Sequence, residues 1–190
     1  MPASTLRFVL RENRLLLSQV HELREVGPDG SDGDVVALVR PGMLNGTSSN
    51  VFYADPEMTR PMFGFTGRVM REQFEIFDDN GVVLGSFRKA WKSSVLRSTW
   101  DLRSATGIAA VGRERSRSAA LARRFVDDIP FLVVHFDFVT SDGHTAFSSV
   151  RRRTLRREYD LSVPALPDGR RLDWRVAVAM GAALDMIQMR

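Results

Sequence analysis

Residues 173–188, DWRVAVAMGAALDMIQ, constrain the fold more than any other stretch, because they read as a short helix with almost no polar face. Between Arg175 and Asp185 stand only Val, Ala, Met, Gly and Leu, so a helix here is apolar all round and must be enclosed. A bilayer span needs about 20 consecutive apolar residues, and the run from Val176 to Leu184 is far shorter. Enclosure by the rest of the protein is therefore expected. Asp173 is placed to cap the first free N–H groups, and Asp185 is expected to pair with an arginine at the rim of whatever surrounds the helix.

A repeating unit supplies the enclosure. In FEIFDDNGVVLGSF, residues 74–87, apolar residues alternate on either side of Asn80-Gly81, the pair favoured in tight hairpins with positive φ. The pattern returns from Trp100 through Thr106-Gly107 to Gly112, from Phe136 through Asp142-Gly143 to Phe147, and more loosely from Tyr159 to Asp168-Gly169. His21–Val39, with Asp29-Gly30 and Asp32-Gly33, reads as an earlier member. Before these, Leu6–Arg11 and Leu15–Val26 open the chain and Val35–Val39 reads as a strand. The Gly-, Asn-, Ser- and Pro-rich stretch Pro41–Pro61 is expected to be irregular, with one short strand at Val51–Tyr53 and a turn at the formal glycosylation sequon Asn45-Gly46-Thr47. Ser116–Phe125 reads as a short surface helix. Successive hairpins make an antiparallel meander, and closure into a barrel removes its exposed edges. A barrel around the C-terminal helix gives the inward side chains a partner and takes the helix out of water.

Hairpins with x-D-x-x-G turns, followed by a helix of this composition, resemble the tubby C-terminal-like superfamily, and within it the LURP-one-related and phospholipid-scramblase-like branch. The residues carrying the likeness are FEIFDDNGVVLGSF (74–87), LRREYDL (155–161) and GRRLDWRVAVAMGAALDMI (169–187). The resemblance spans the whole chain, 1–190, as a single domain. It implies a mainly β fold, a closed antiparallel β-barrel of about 12 strands enclosing a hydrophobic C-terminal helix. It also implies functions at membranes: tubby proteins bind phosphoinositides, and scramblases are associated with lipid movement and calcium. The cysteine cluster that scramblases use for lipidation has no counterpart, since the chain contains no cysteine.

Zero cysteines also exclude disulfides and thiolate chemistry. No signal peptide or spanning segment is read, so a cytoplasmic protein, peripheral to a membrane at most, is expected. The pI is 10.3 although the net charge is only +4. Of the 27 Lys and Arg only Lys89 and Lys92 are lysine, and with no Cys and only two Tyr few groups titrate between pH 7 and 10. Distribution is more informative. Residues 1–95 carry 11 basic and 12 acidic side chains, whereas residues 96–190 carry 16 and 11. Any basic face belongs to the second half.

Candidate chemistry follows that asymmetry. Arg113, Arg115 and Arg117 alternate, so an extended chain lines them on one face. With Arg123, Arg124, Arg151, Arg152, Arg153, Arg156 and Arg157 they either solvate the barrel wall or converge on an anionic lipid, a phosphoinositide or another phosphorylated ligand, for which guanidinium forks suit the geometry. Nucleic acid is disfavoured, because no aromatic residues interleave for stacking. His135 and Asp137 share a strand face, yet no nucleophile motif accompanies them, so a non-enzymatic protein with no cofactor is expected. Asp78-Asp79-Asn80-Gly81 superficially suggests a calcium loop, but Lys89 or Ala90 stands where a bidentate Glu is needed. Three histidines without cysteine make a zinc site improbable. The competing reading is a protein-interaction scaffold that presents the 41–61 stretch to a partner.

Overall fold

A computed structural model describes residues 5–13, 20–44, 46–90, 99–114, 135–152, 154 and 157–187. Among them twelve strands close into one antiparallel barrel: β1 (Leu6–Asn13), β2 (Val20–Val26), β3 (Asp32–Leu44), β4 (Thr47–Tyr53), β5 (Pro61–Arg68), β6 (Gln73–Asp78), β7 (Val83–Lys89), β8 (Thr99–Ser104), β9 (Ala109–Glu114), β10 (His135–Thr140), β11 (Thr145–Arg151) and β12 (Glu158–Val163). Each strand pairs with its sequence neighbours, and β12 closes the cylinder on β1 with Leu10 opposite Tyr159 and Leu6 opposite Val163. The remaining α-helix of the described residues, α1 (Trp174–Ile187), fills the interior. Val176–Ala179, Met180 and Ala182–Leu184 are all buried. No helix among the described residues is long and apolar enough to cross a membrane.

Small side chains make this insertion possible. A Cβ on Gly181 would lie 2.8 Å from Leu161 Cδ2, so the helix approaches β12 more closely there than alanine permits. Gly112 leaves room for the Phe138 ring, which a Cβ would meet at 2.3 Å. Large rings fill the rest of the lumen. Phe52 stacks on Phe63 (4.2 Å) and Phe74 on Phe87 (4.9 Å), while Trp174 at the start of α1 stacks on Phe8 (5.5 Å) and meets Phe63 edge-on (5.4 Å). Each fully buried ring or aliphatic chain contributes about 1.5–3 kcal/mol, so the lumen holds most of the stabilisation. The Asp173 Oδ1 accepts the Arg175 N–H at 2.9 Å, the capping role expected of it.

The same turn occurs five times at the end where α1 begins, four times between strands and once between β12 and α1. In 27–31, 78–82, 104–108, 140–144 and 166–170, the fourth-residue glycine donates its N–H to the first residue's carbonyl at 2.9–3.1 Å. The first residue in turn donates to the carbonyl of the fifth, at 2.8–2.9 Å. Gly30, Gly81, Gly107, Gly143 and Gly169 all have φ near +80°. This is a type I turn followed by a left-handed glycine. Only the glycine of Asn80-Gly81 has positive φ, so the turn is not the doubly left-handed type expected from the dipeptide. The Asp78 Oδ1 accepts the N–H groups of Asn80 and Val82 (2.9 and 2.8 Å), which makes it a turn staple rather than a calcium ligand.

The stretch 41–61 departs from expectation. It is not a wrapping loop: β3 continues to Leu44, β4 begins at Thr47, and Pro41 pairs in register with Asn50. Its polar composition misled because the inward face of β4 is itself polar there, with buried Asn50 donating to Ser48 Oγ at 2.7 Å. Gly46, a turn residue with φ +74°, lies between β3 and β4, and the longer connection 54–60 is clamped by the Asp55 carboxylate, which accepts the N–H groups of Thr59 (2.9 Å) and Arg60 (2.7 Å). The helix expected at Ser116–Phe125 lies outside the described residues.

Candidate functional site

The arginines proposed from the sequence divide into four groups. Arg115, Arg117, Arg123, Arg124, Arg153 and Arg156 lie outside the described residues. Arg113 is exposed on the outer wall of β9, opposite Asp137 of β10. Arg151 and Arg157 instead belong to the mouth of the lumen where α1 ends. Arg151 is in register with the buried Tyr159, and Arg157 precedes it with the same inward parity. Arg113 and the Arg151–Arg157 pair therefore occupy opposite faces of the sheet. Arg152, between them in sequence, points outward and is committed to Asp160 (2.8 Å), Asp32 (3.4 Å) and Glu158 (3.8 Å).

The mouth contains the most unusual polar group in the molecule. Asp185, in the last turn of an otherwise apolar helix, is 2% exposed. A carboxylate there is opposed by the helix dipole as well as by desolvation. Its partner is not an arginine. The Tyr159 hydroxyl donates to Asp185 Oδ1 at 2.6 Å, and His21 Nδ1 stands 3.7 Å from Oδ2. Burial, and then the Asp185 charge, push the Tyr159 phenol well above its usual pKa, so it remains a proton donor. Burial lowers the His21 pKa, against the pull of Asp185 and Glu12. The inward-facing Glu114 and Ser149 complete a polar collar at this level.

The collar orients the helix, and removing one partner should show it. Tyr159→Phe is expected to destabilise the fold by about 2 kcal/mol in urea unfolding, because the Asp185 carboxylate then loses its one close donor among the described residues. Asp185→Asn, which keeps an acceptor, should cost less. Adding Asp185→Leu to Tyr159→Phe should recover part of the loss, and strictly additive effects would show that the two side chains are not coupled.

Elsewhere the described residues offer no comparable constellation. A trough of about 620 Å³ runs along the outer wall where Ala109 and Val111 of β9 are flanked by longer side chains of β8 and β10. Its lining includes Asp101, Glu114 and Asp137 beside Arg103 and Arg113, so it is not a basic patch, and Asp101 is already paired with Arg88 at 3.2 Å. His135 and Asp137 do share the outer face, but Ser148, in register with Asp137, exchanges its hydrogen bond with Ser162 at 2.6 Å. Among the described residues no group of His, Asp and Glu could hold a metal ion.

The two ends of the barrel differ in charge. At the turn end Asp29, Asp55, Glu57, Asp78, Asp79, Asp142, Asp168 and Asp173 outnumber Arg60, Arg170, Arg171 and Arg175, of which Arg170 is paired with Asp168 and Arg175 with Asp173. At the opposite end the connection between β5 and β6 is a 3₁₀ turn, Val69–Arg71, with Arg68 and Arg71 both exposed and Met70 between them. Strand ends Asn13, Lys89, Glu114, Arg151 and Glu158 also lie there. Sequence reasoning overlooked Arg68-Val69-Met70-Arg71, although an apolar residue bracketed by arginines between two strands was readable; the Asp185–Tyr159 pair, 26 residues apart, left no local pattern. Neither the known protein-family models nor the curated proteins provide a match to this chain.

Proposed function

We propose that this protein is a non-enzymatic, tubby-like barrel that docks on anionic phospholipid headgroups through the end at which α1 terminates. The observation that carries the reading is the charge polarity of the described residues: an end where carboxylates outnumber arginines opposes one whose β5–β6 turn presents exposed Arg68 and Arg71, which pair with no carboxylate among the described residues. A molecule so polarised orients before contact, its acidic end turned away from a negative surface. The kinship suggested by the hairpin and helix motifs points the same way, and a closed barrel around an apolar helix is the fold it implies.

Vesicle sedimentation tests the reading. The protein should pellet with vesicles containing phosphatidylserine or a phosphoinositide and not with neutral ones, and binding should weaken as sodium chloride is raised. Replacing Arg68 and Arg71 together by alanine should reduce binding about thirtyfold, at about 1 kcal/mol for each surface arginine. Equal pelleting with neutral vesicles, or indifference to salt, would sink the proposal.

A further inference from the structure

Met70 is the most exposed large apolar side chain among the described residues, at 88%. Its exposure is built into the turn. Glu72 adopts φ +44°, a left-handed conformation that is costly for a non-glycine residue, and its carboxylate is held by Lys89 Nζ at 2.9 Å. The Glu72 carbonyl also accepts the Lys89 N–H at 3.0 Å. Both side chains of this ion pair are largely buried, at 14% and 20% exposure. The turn is thus pinned to the end of β7 and holds Met70 outward, bracketed by Arg68 and Arg71.

From this geometry we infer that Met70 is a membrane-inserting tip: it enters the acyl boundary of an anionic bilayer while Arg68 and Arg71 engage the headgroups around it. The inference rests on the docking mode proposed above and assigns its point of entry. An unbranched thioether suits a disordered apolar medium, and an apolar residue framed by cations matches the layering of an anionic interface, negative outside and apolar beneath. The other exposed apolar side chains lack this frame: Val82 and Val83 sit at the acidic end beside Asp78 and Asp79.

The absence of cysteine permits a site-specific test. The full chain carrying Met70→Cys, labelled with an environment-sensitive fluorophore, should show a blue shift on addition of phosphatidylserine vesicles and none with neutral vesicles. The same label at Val82→Cys should not respond. Unlabelled Met70→Asp should bind the anionic vesicles about tenfold more weakly than the parent while retaining its unfolding midpoint. Vesicle binding without a shift at position 70 would overturn the inserting tip and leave the docking mode standing; no binding by the parent protein would overturn both. A shift that grows with protein concentration in the absence of lipid would assign the tip to a second copy of the chain and refute the inference.

Discussion

Ala182→Asp is expected to abolish cooperative unfolding of the barrel, a loss of more than about 4 kcal/mol, because it buries a carboxylate that no donor can reach. Position 182 is fully buried and lies one helical turn before Asp185. The comparison between the two sites is instructive. Asp185 survives burial because the Tyr159 hydroxyl meets it at 2.6 Å; position 182 belongs to the buried apolar cluster of the lumen. Ala182→Ser supplies the control, since its hydroxyl can bond back to a helix carbonyl, and it should cost no more than about 1–2 kcal/mol. Circular dichroism against urea would distinguish them, and a folded, cooperative Ala182→Asp variant would mean that the lumen admits water.

The second large effect is expected at Gly67. A Cβ there would lie 2.1 Å from the Gln73 carbonyl oxygen and 2.6 Å from Phe74 Cδ1. Neither can withdraw easily: Arg68 and Gln73 are paired across the start of the 3₁₀ turn, and the Phe74 ring is stacked on Phe87. Gly67→Ala should therefore cost about 3 kcal/mol or more and spread β5 from β6. Gly143→Ala separates collision from backbone strain, because its Cβ would meet nothing within 4 Å while φ is +84°; it should cost only about 1–2 kcal/mol. Thermal unfolding of the two variants side by side would check the order, and equal losses would show that crowding at Gly67 is absorbed elsewhere.

Much of this architecture could be read from local sequence, for identifiable reasons. A type I turn with a left-handed fourth residue needs glycine, and alternation on both sides sets the inward face, so FEIFDDNGVVLGSF and its relatives announced themselves as hairpins. The helix was legible because burial on all sides leaves no polar stripe. What escaped is non-local. Pro41–Asn50 looked like loop because its inward positions, Ser48 and Asn50, satisfy one another by hydrogen bonding instead of packing apolar surface. The alternation that grouped the arginines fixes parity along one strand but not which parity faces the lumen; Arg151 turns in with Tyr159, whereas Arg113 turns out beside Asp137. Pairing of Asp185 with Tyr159 rather than an arginine depends on how far the helix penetrates the cylinder, which no sequence window contains.

The closure of β12 on β1 has a kinetic corollary. During synthesis the phenylalanine-lined staves emerge before the plug they are shaped around and before the strand that seals the seam. Until residues 158–187 are available the nascent chain can form hairpins but has neither a filled centre nor a joined edge, so its ordering is necessarily late and long-range. Such a chain depends on protection from aggregation until then, and the four tight glycine turns between residues 27 and 144, which need only neighbouring residues, are the part of the structure able to form while it waits.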